Sequence, residues 1–234
     1  MKVAVHQPNF MPYLGFFDKM AKVDIWVNYD DAKFVPRDFH HRNRIGTPDG
    51  PFWLTVPINK PPHFSPEPIR RISIKKAKIK SLEWQDYFIE QIRNSYKKAP
   101  FFNTYFPKLK ELLETPEERL LDLNIKIINF LRECFGIKNK ITFSSSLAEK
   151  NNIESRSTQK IIDLCKIVGA DTYISGEGGR NYLDEELTKK AGINLEYQTF
   201  NHPIYRQIKN RPFQKNLSAI DYLFNCGGTF PNGN

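Results

Sequence analysis

The sequence is poor in cysteine, and what it has does not suggest a bridge or a metal. Cys134, Cys165 and Cys226 stand far apart, and none sits in a C-x-x-C pair. A sparse, odd count excludes a disulfide-stapled scaffold and a cysteine-rich zinc site. Cys134 and Cys165 fall in helical apolar patterns and read as small buried hydrophobes. Long apolar runs are missing too. None approaches the roughly 18–20 residues that a membrane span needs, and MKVAVHQPNF is a short β-like run broken by Pro8, unlike a secretory leader. A cytoplasmic location is expected. There is no internal repeat, low-complexity tract or flexible linker. The adjacent His40 and His41 offer poor geometry for two ligands on one metal, and His63 and His202 are isolated, so no metal site is expected. G-x-G-x-x-G, a Walker loop and the G-x-S-x-G elbow are all absent, which speaks against ordinary dinucleotide, P-loop and serine-hydrolase chemistry.

Acidic residues are scarce in one stretch. Between Lys33 and Lys80 eleven lysines and arginines face three acids, so this segment carries almost all of the net charge of +9. Such a local field attracts phosphate on a nucleotide, a nucleic acid or a lipid surface. A solvated lysine-rich face explains KKAKIK at 75–80 equally well.

The apolar patterning gives an α/β fold. KVAVH reads as a strand, Tyr13 to Val23 as a helix and DIWVNY as a second strand, a βαβ unit with parallel strands. PFWLTVPI and PIRRISIK read as strands of a hairpin-like insert among Pro57, Pro61, Pro62, Pro66 and Pro68. Three helices follow: from Ser81 to about Tyr96, from Thr104 to Glu114, and a third from the capping-box spacing at Thr115 to Gly136. Alternation then returns. KITF, DTYIS and NLEYQTF are strands, Ser157–Val168 and Tyr182–Ala191 are helices, and a last helix opens at Asn216 or Ser218 and ends at Gly227. The expectation is a single α/β domain over 1–234. It has a mostly parallel, Rossmann-like sheet built from both chain ends, with 50–140 as an insert or cap of β-hairpin and helices.

Open parallel sheets hold ligands beyond the carboxyl ends of their strands, which selects four groups of residues. At the first strand end, His6 and Gln7 enter a turn stiffened by Pro8 and Pro12, and His6 can steady a phosphate oxygen or move a proton. Locking the turn is the plainer role. At the second, Asp30 and Asp31 can hold magnesium with substrate phosphates, orient an amine or simply cap the strand, with Lys33 beside them. In RDFHHRNRI, Arg42 and Arg44 flank Asn43 with forked donors suited to phosphate or carboxylate. In YISGEGGRNYL, Ser175, Gly176 and Tyr182 border a glycine-rich strand-to-helix turn where a ligand can approach the backbone. Tyr205, Gln207 and Asp221 add polar groups to an apolar tail, and Asp221, if buried, requires a partner.

HQPNFMPYLGFFDK, the D-D-x-x-F segment, R-N-R-I, W-L-T-V-P, YISGEGGRNYL, HPIYRQ and LSAIDYLFNCGG, in this order, resemble the WbqC-like family across nearly the whole chain. The resemblance implies a place in bacterial O-antigen and lipopolysaccharide gene clusters. It carries over His6, Gln7, Pro8, Gly15, Asp30, Asn43, Arg44, Ser175, Gly176, Tyr182, Tyr205, Gln207 and Asp221. Many relatives are expected to carry glutamine at Lys33. The layout of strand, H-x-P turn, helix and strand is also similar to the nucleotide-binding domains of pantothenate and class I synthetases, without their H-x-G-H signature.

The resulting expectation is an acyl or aminoacyl transferase or ligase forming an amide on a nucleotide-linked amino sugar. His6, Asp30 and Asn43 would be catalytic. Gln7, Lys33, Arg42, Arg44, Ser175, Gly176, Tyr182, Tyr205 and Gln207 would bind substrate, and Asp221 would be structural. ATP or an acyl donor such as acyl-CoA would supply the activated group. The partner would be a small nucleotide-sugar rather than nucleic acid, with membrane attachment at most peripheral. The competing reading is a non-catalytic module that binds phosphate or nucleic acid through segment 33–80.

Overall fold

A computed structural model describes residues 1–61, 67–207 and 212–230; His63, Pro62 and Pro66 lie outside them. In chain order the elements are β1 (Lys2–His6), α1 (Leu14–Ala21), β2 (Ile25–Asn28), β3 (Arg42–Thr47), β4 (Gly50–Thr55), β5 (Lys78–Ile79), β6 (Leu82–Glu83), α2 (Trp84–Tyr96), α3 (Phe102–Glu114) and α4 (Leu120–Cys134). There follow β7 (Lys140–Phe143), α5 (Ser144–Asn151), α6 (Ser157–Ile167), β8 (Thr172–Ser175), α7 (Glu185–Lys190), β9 (Asn194–Tyr197) and α8 (Ala219–Cys226). Contacts divide the chain into two compact units. The first takes 1–7, 16–32 and 138–201, and the second takes 8–15, 33–137 and 202–234. No helix among the described residues is long and apolar enough to cross a membrane.

The first unit holds a five-stranded, wholly parallel sheet in the order β7-β2-β1-β8-β9. Side chains alternate across a strand. Val3, Val5, Ile25, Val27 and Tyr173 therefore share one face, where they pack with Ile161, Leu164 and Cys165 of α6 and with Ile193. Each such fully buried side chain contributes about 1.5–3 kcal/mol. His6 and Trp26 point to the other face and meet Phe16 of α1, with ring centroids 4.9 Å and 4.7 Å from it. The indole N–H of Trp26 donates to Asn28 Oδ1 at 3.1 Å, two residues along the same face. The chain runs outward in both directions from β1, so the connection reverses between β1 and β8. That reversal is the place where doubly wound sheets open a crevice.

The second unit is a β3–β4 hairpin with helices α2, α3, α4 and α8. Ile45 and Leu54 lie on the buried face of the hairpin, and Phe88, Ile92, Tyr96, Phe106, Leu109 and Phe224 are buried among the helices.

Several elements differ from the sequence reading. PFWLTVPI pairs along its strand with Arg42–Thr47, and only its end meets PIRRISIK, through an Ile58–Ile74 bridge and Lys75 N–H bonded to Pro57 O. Ile69–Arg71 of the latter coils into a 3-10 turn, with Arg71 N–H bonded to Pro68 O and Ile72 N–H to Ile69 O. The paired arginines interrupt the alternation a strand needs. α4 opens at Leu120, and Thr115 ends α3 by bonding its hydroxyl to Glu111 O, so the Thr115 capping-box spacing caps nothing. Residues 177–181 of the glycine segment form a 3-10 turn, and α7 starts only at Glu185, capped by Asp184. Ser144–Asn151 is helical without an apolar stripe of its own.

Candidate functional site

At the carboxyl edge of the first unit's sheet, His6 ends β1 and Ser175 ends β8. Val3 is level with Tyr173, and continuing that parallel register brings His6 level with Gly176. His6 Nδ1 donates to the carbonyl of Gln7 at 2.8 Å. A carbonyl only accepts, so the neutral ring carries its proton on Nδ1 and its lone pair on Nε2. The imidazole stacks on Trp26 at 5.7 Å and is half-buried. It is therefore oriented by its neighbours, as an acid–base group must be.

Ser175 is buried, and its hydroxyl donates to Gly176 O at 3.0 Å. The 3-10 turn folds directly over that hydroxyl: a Cβ on Gly179 would lie 2.1 Å from Ser175 Oγ, so only glycine fits there. Ser175 thus shapes the turn, while Tyr182 projects outward, 68% exposed.

The sequence reading passed over Lys19. It lies on α1, one turn after Phe16 and therefore on the same face of the helix. Its side chain is buried, only 2% exposed. Its Nζ is 5.7 Å from the Trp26 ring centroid and 3.7 Å from where a Cβ on Gly176 would stand. The neighbouring carboxylate, Asp18, is taken by Lys22 Nζ at 2.8 Å and by Gln198 Nε2 at 2.6 Å. Among the described residues no carboxylate forms an ion pair with Lys19. Burial pulls its ammonium down from 10.5 to about 7, because the charged form loses its hydration. The available signal was a charged pair, Asp18 and Lys19, in LGFFDKMA, a helix otherwise without polar side chains.

Asp30 and Asn43, expected to be catalytic, both bond to neighbouring protein groups. Asp30 Oδ1 accepts from Ser144 Oγ and Ser145 N, each at 3.0 Å, and Oδ2 accepts from Ser145 Oγ at 2.6 Å. Its carboxylate thus ties the end of β2 to the start of α5, where exposed N–H groups favour an anion. Asp31 accepts from Ser144 Oγ at 2.5 Å and pairs with Lys160. Among the described residues no cluster of three or more His, Cys, Asp and Glu could hold a metal ion.

The second unit holds the remaining residues. The Asn43 amide donates to Met11 O at 2.7 Å and to Phe10 O at 3.3 Å, and its oxygen accepts Arg44 N–H at 2.8 Å. It faces inward and fixes backbone. Arg42 and Arg44 face outward with Trp53, which is 40% exposed. Their guanidinium carbons lie 4.4 Å and 5.5 Å from its ring centroid. Lys33 is exposed and bridges Pro68. His41 is pushed down to about 4 by burial and by Arg42. Tyr205, Gln207 and Asp221 form one network: Tyr205 Oη and Gln207 Nε2 donate to Asp221 Oδ1 at 2.8 Å and 3.0 Å, and Tyr96 Oη donates to Oδ2 at 2.9 Å. Burial raises the thiols of Cys134 and Cys226 to about 11 and that of Cys165 to about 12, so none is activated as a nucleophile.

Comparison with known proteins adds a family. Residues 7–230 match the profile of the WbqC-like protein family. The chain belongs to that family. An uncharacterized protein of Mycobacterium tuberculosis (strain ATCC 25618 / H37Rv), Rv1507c, is 29% identical over 233 residues, covering 98% of this chain and 96% of the relative. No solved structure matches. In this WbqC-like chain His6 and Lys19 come from a single stretch, HQPNFMPYLGFFDK. It supplies the last residue of β1 and the buried helix that follows.

Proposed function

We propose that the protein is a cytoplasmic enzyme of bacterial surface-polysaccharide (O-antigen) assembly, a transferase or ligase that joins an acyl or aminoacyl group to a nucleotide-linked amino sugar. The observation that carries this reading is the strand order. The chain reverses direction between β1 and β8, and an oriented imidazole stands at that reversal beside the Ser175–Gly176 strand end. Nucleotides bind in crevices of this kind. In the proposed reaction the sugar amine attacks the activated acyl carbon, and the C–N bond forms. The leaving group, a nucleotide phosphate from an ATP-activated acid or the thiolate of acyl-CoA, departs with its bonding electrons. The nitrogen sheds a proton to His6 Nε2. Gln7, whose carbonyl fixes the imidazole, and exposed Tyr182 border the substrate. Asp30 holds the start of α5.

The test is incubation with nucleotide-linked amino sugars, a panel of acyl and aminoacyl donors, and ATP. Donor consumption is expected. His6→Ala should lower kcat by about 10²–10⁴-fold, the range of a positioned acid–base group. No donor consumed by the wild type, together with unchanged cell-surface glycan in a His6→Ala strain, would reject the reading.

A second reading is favoured by one observation. Arg42 and Arg44 stack on exposed Trp53, a combination that binds bases and phosphates in nucleic-acid proteins. As a non-catalytic module the protein would lose nucleic-acid affinity steeply with salt. The amide-forming reading instead predicts no measurable binding of single-stranded or duplex oligonucleotide at about 50 mM salt. A titration that does show binding, with a steep salt slope, would favour the module.

A further inference from the structure

We infer that Lys19 is the phosphate-holding group of this site, its ammonium meeting a phosphoryl oxygen of the substrate at the ends of β1 and β8. The inference rests on the reading of that sheet edge as the substrate site, and it adds a residue and a ligand chemistry to it.

A lysine in the interior normally has a carboxylate partner, because an isolated buried ammonium costs several kcal/mol. Lys19 is buried, and the carboxylate next to it in sequence is held by Lys22 and Gln198. Among the described residues the partner that remains is the Trp26 face at 5.7 Å, and a cation–ring contact contributes only about 0.5–2 kcal/mol. The fold therefore maintains an undercompensated cation. Its position gives the reason. Nζ lies beside Gly176, the first residue past β8, and the Trp26 ring it overlies is the one on which His6 stacks. A cation and an oriented imidazole thus share the Trp26 ring, with Gly176 beside the cation, at the chain reversal. Phosphoryl oxygen supplies the missing negative charge there, and a low-dielectric site strengthens the contact. Burial that draws the ammonium down to about 7 also makes the group responsive: an arriving dianion pulls the amine back to its charged form. A lysine that had to stay neutral to act as a base would be disabled by that shift, because protonation removes the lone pair it needs.

The full-length protein carrying ¹³Cε-labelled lysine is titrated with inorganic pyrophosphate at pH 7.5 and followed by NMR. The Lys19 resonance is assigned by its disappearance in Lys19→Met. Pyrophosphate should move that resonance toward the ammonium position, raising its apparent pKa by about one unit or more. Lys19→Met should weaken pyrophosphate binding by roughly ten-fold or more, and Lys19→Arg should restore part of it. Acetate, the carboxylate arm, should leave the resonance in place. The inference is overturned if pyrophosphate does not bind, if it binds Lys19→Met as tightly as wild type, if the resonance stays still at saturation, or if acetate shifts it equally. Binding that ignores Lys19 would leave the amide-forming reading intact. Lys19-dependent binding without donor consumption would sink that reading and leave this one standing.

Discussion

Replacing Lys19 by Met is expected to make the folded protein more stable, and the gain should depend on pH. The ammonium titrates near 10.5 when exposed and at about 7 in the folded chain, so the native state binds that proton less tightly than the unfolded state. Below pH 7 both states are protonated, and the native state bears the full penalty of a buried charge. A shift of this size corresponds to an upper bound of about 4–5 kcal/mol. Between pH 7 and 10.5 the native lysine is neutral while the unfolded one keeps its proton, so the penalty, now the cost of removing that proton, falls as the pH rises toward 10.5. Methionine fills a similar volume without charge. Urea denaturation should therefore show Lys19→Met stabilised by about 2–4 kcal/mol at pH 6 and by almost nothing near pH 10. A variant less stable than wild type at pH 6 would mean that the ammonium already has a partner and serves the fold. Stability given up for a working group is a familiar property of active sites.

The second large effect is expected at Asp221. Its carboxylate is buried, and Tyr96, Tyr205 and Gln207 all direct donors at it. Tyr96 Oη also accepts Gly46 N–H at 2.8 Å, so the network reaches the β3 backbone. Asp221→Ala takes the acceptor from the buried Tyr96 hydroxyl and the half-buried Tyr205 hydroxyl, while Gln207 Nε2 keeps Gln214 O at 2.9 Å, and should cost about 2–4 kcal/mol, whereas Asp221→Asn keeps one oxygen and should cost about 1–2 kcal/mol. Gly46→Ala tests the same point from the other side, since its Cβ would stand 2.8 Å from Asp221 Oδ2 and displace the carboxylate. Thermal unfolding monitored by near-ultraviolet circular dichroism reads all three. Equal stability of Asp221→Ala and wild type would show that the second unit does not rely on this network.

The parallel sheet was legible because its strands are short apolar runs separated by amphipathic helices, and KVAVH, DIWVNY, KITF, DTYIS and NLEYQTF each contain the strand expected there. The hairpin partner was not. Arg42–Thr47 carries one large apolar residue, Ile45, so its strand character comes from pairing with β4 and not from its own pattern. The start of α5 was hidden for a related reason: the anion that holds it, Asp30, is more than a hundred residues away. The hydrogen-bond partners of Asp30 and Asn43 were not legible either. A carboxylate and an amide at strand ends look alike whether they face substrate or backbone, and only the donors around them decide. Lys19 was missed in the opposite way, because a lysine is read as exposed unless the whole surface of its helix is buried. Here residues 14–20 are buried throughout.

The order in which the two units share the chain has a consequence for synthesis on the ribosome. Each takes three stretches, and these alternate along the sequence from the first residues to the last. A nascent polypeptide that has emerged through Tyr197 has all five strands of the sheet but still lacks α8, with Asp221 and Phe224. Distant pairings of this kind are slow to form, and no single cut yields either half as a contiguous fragment. Maturation of the second half must wait until α8 has been made, which makes the growing chain a natural client for chaperones.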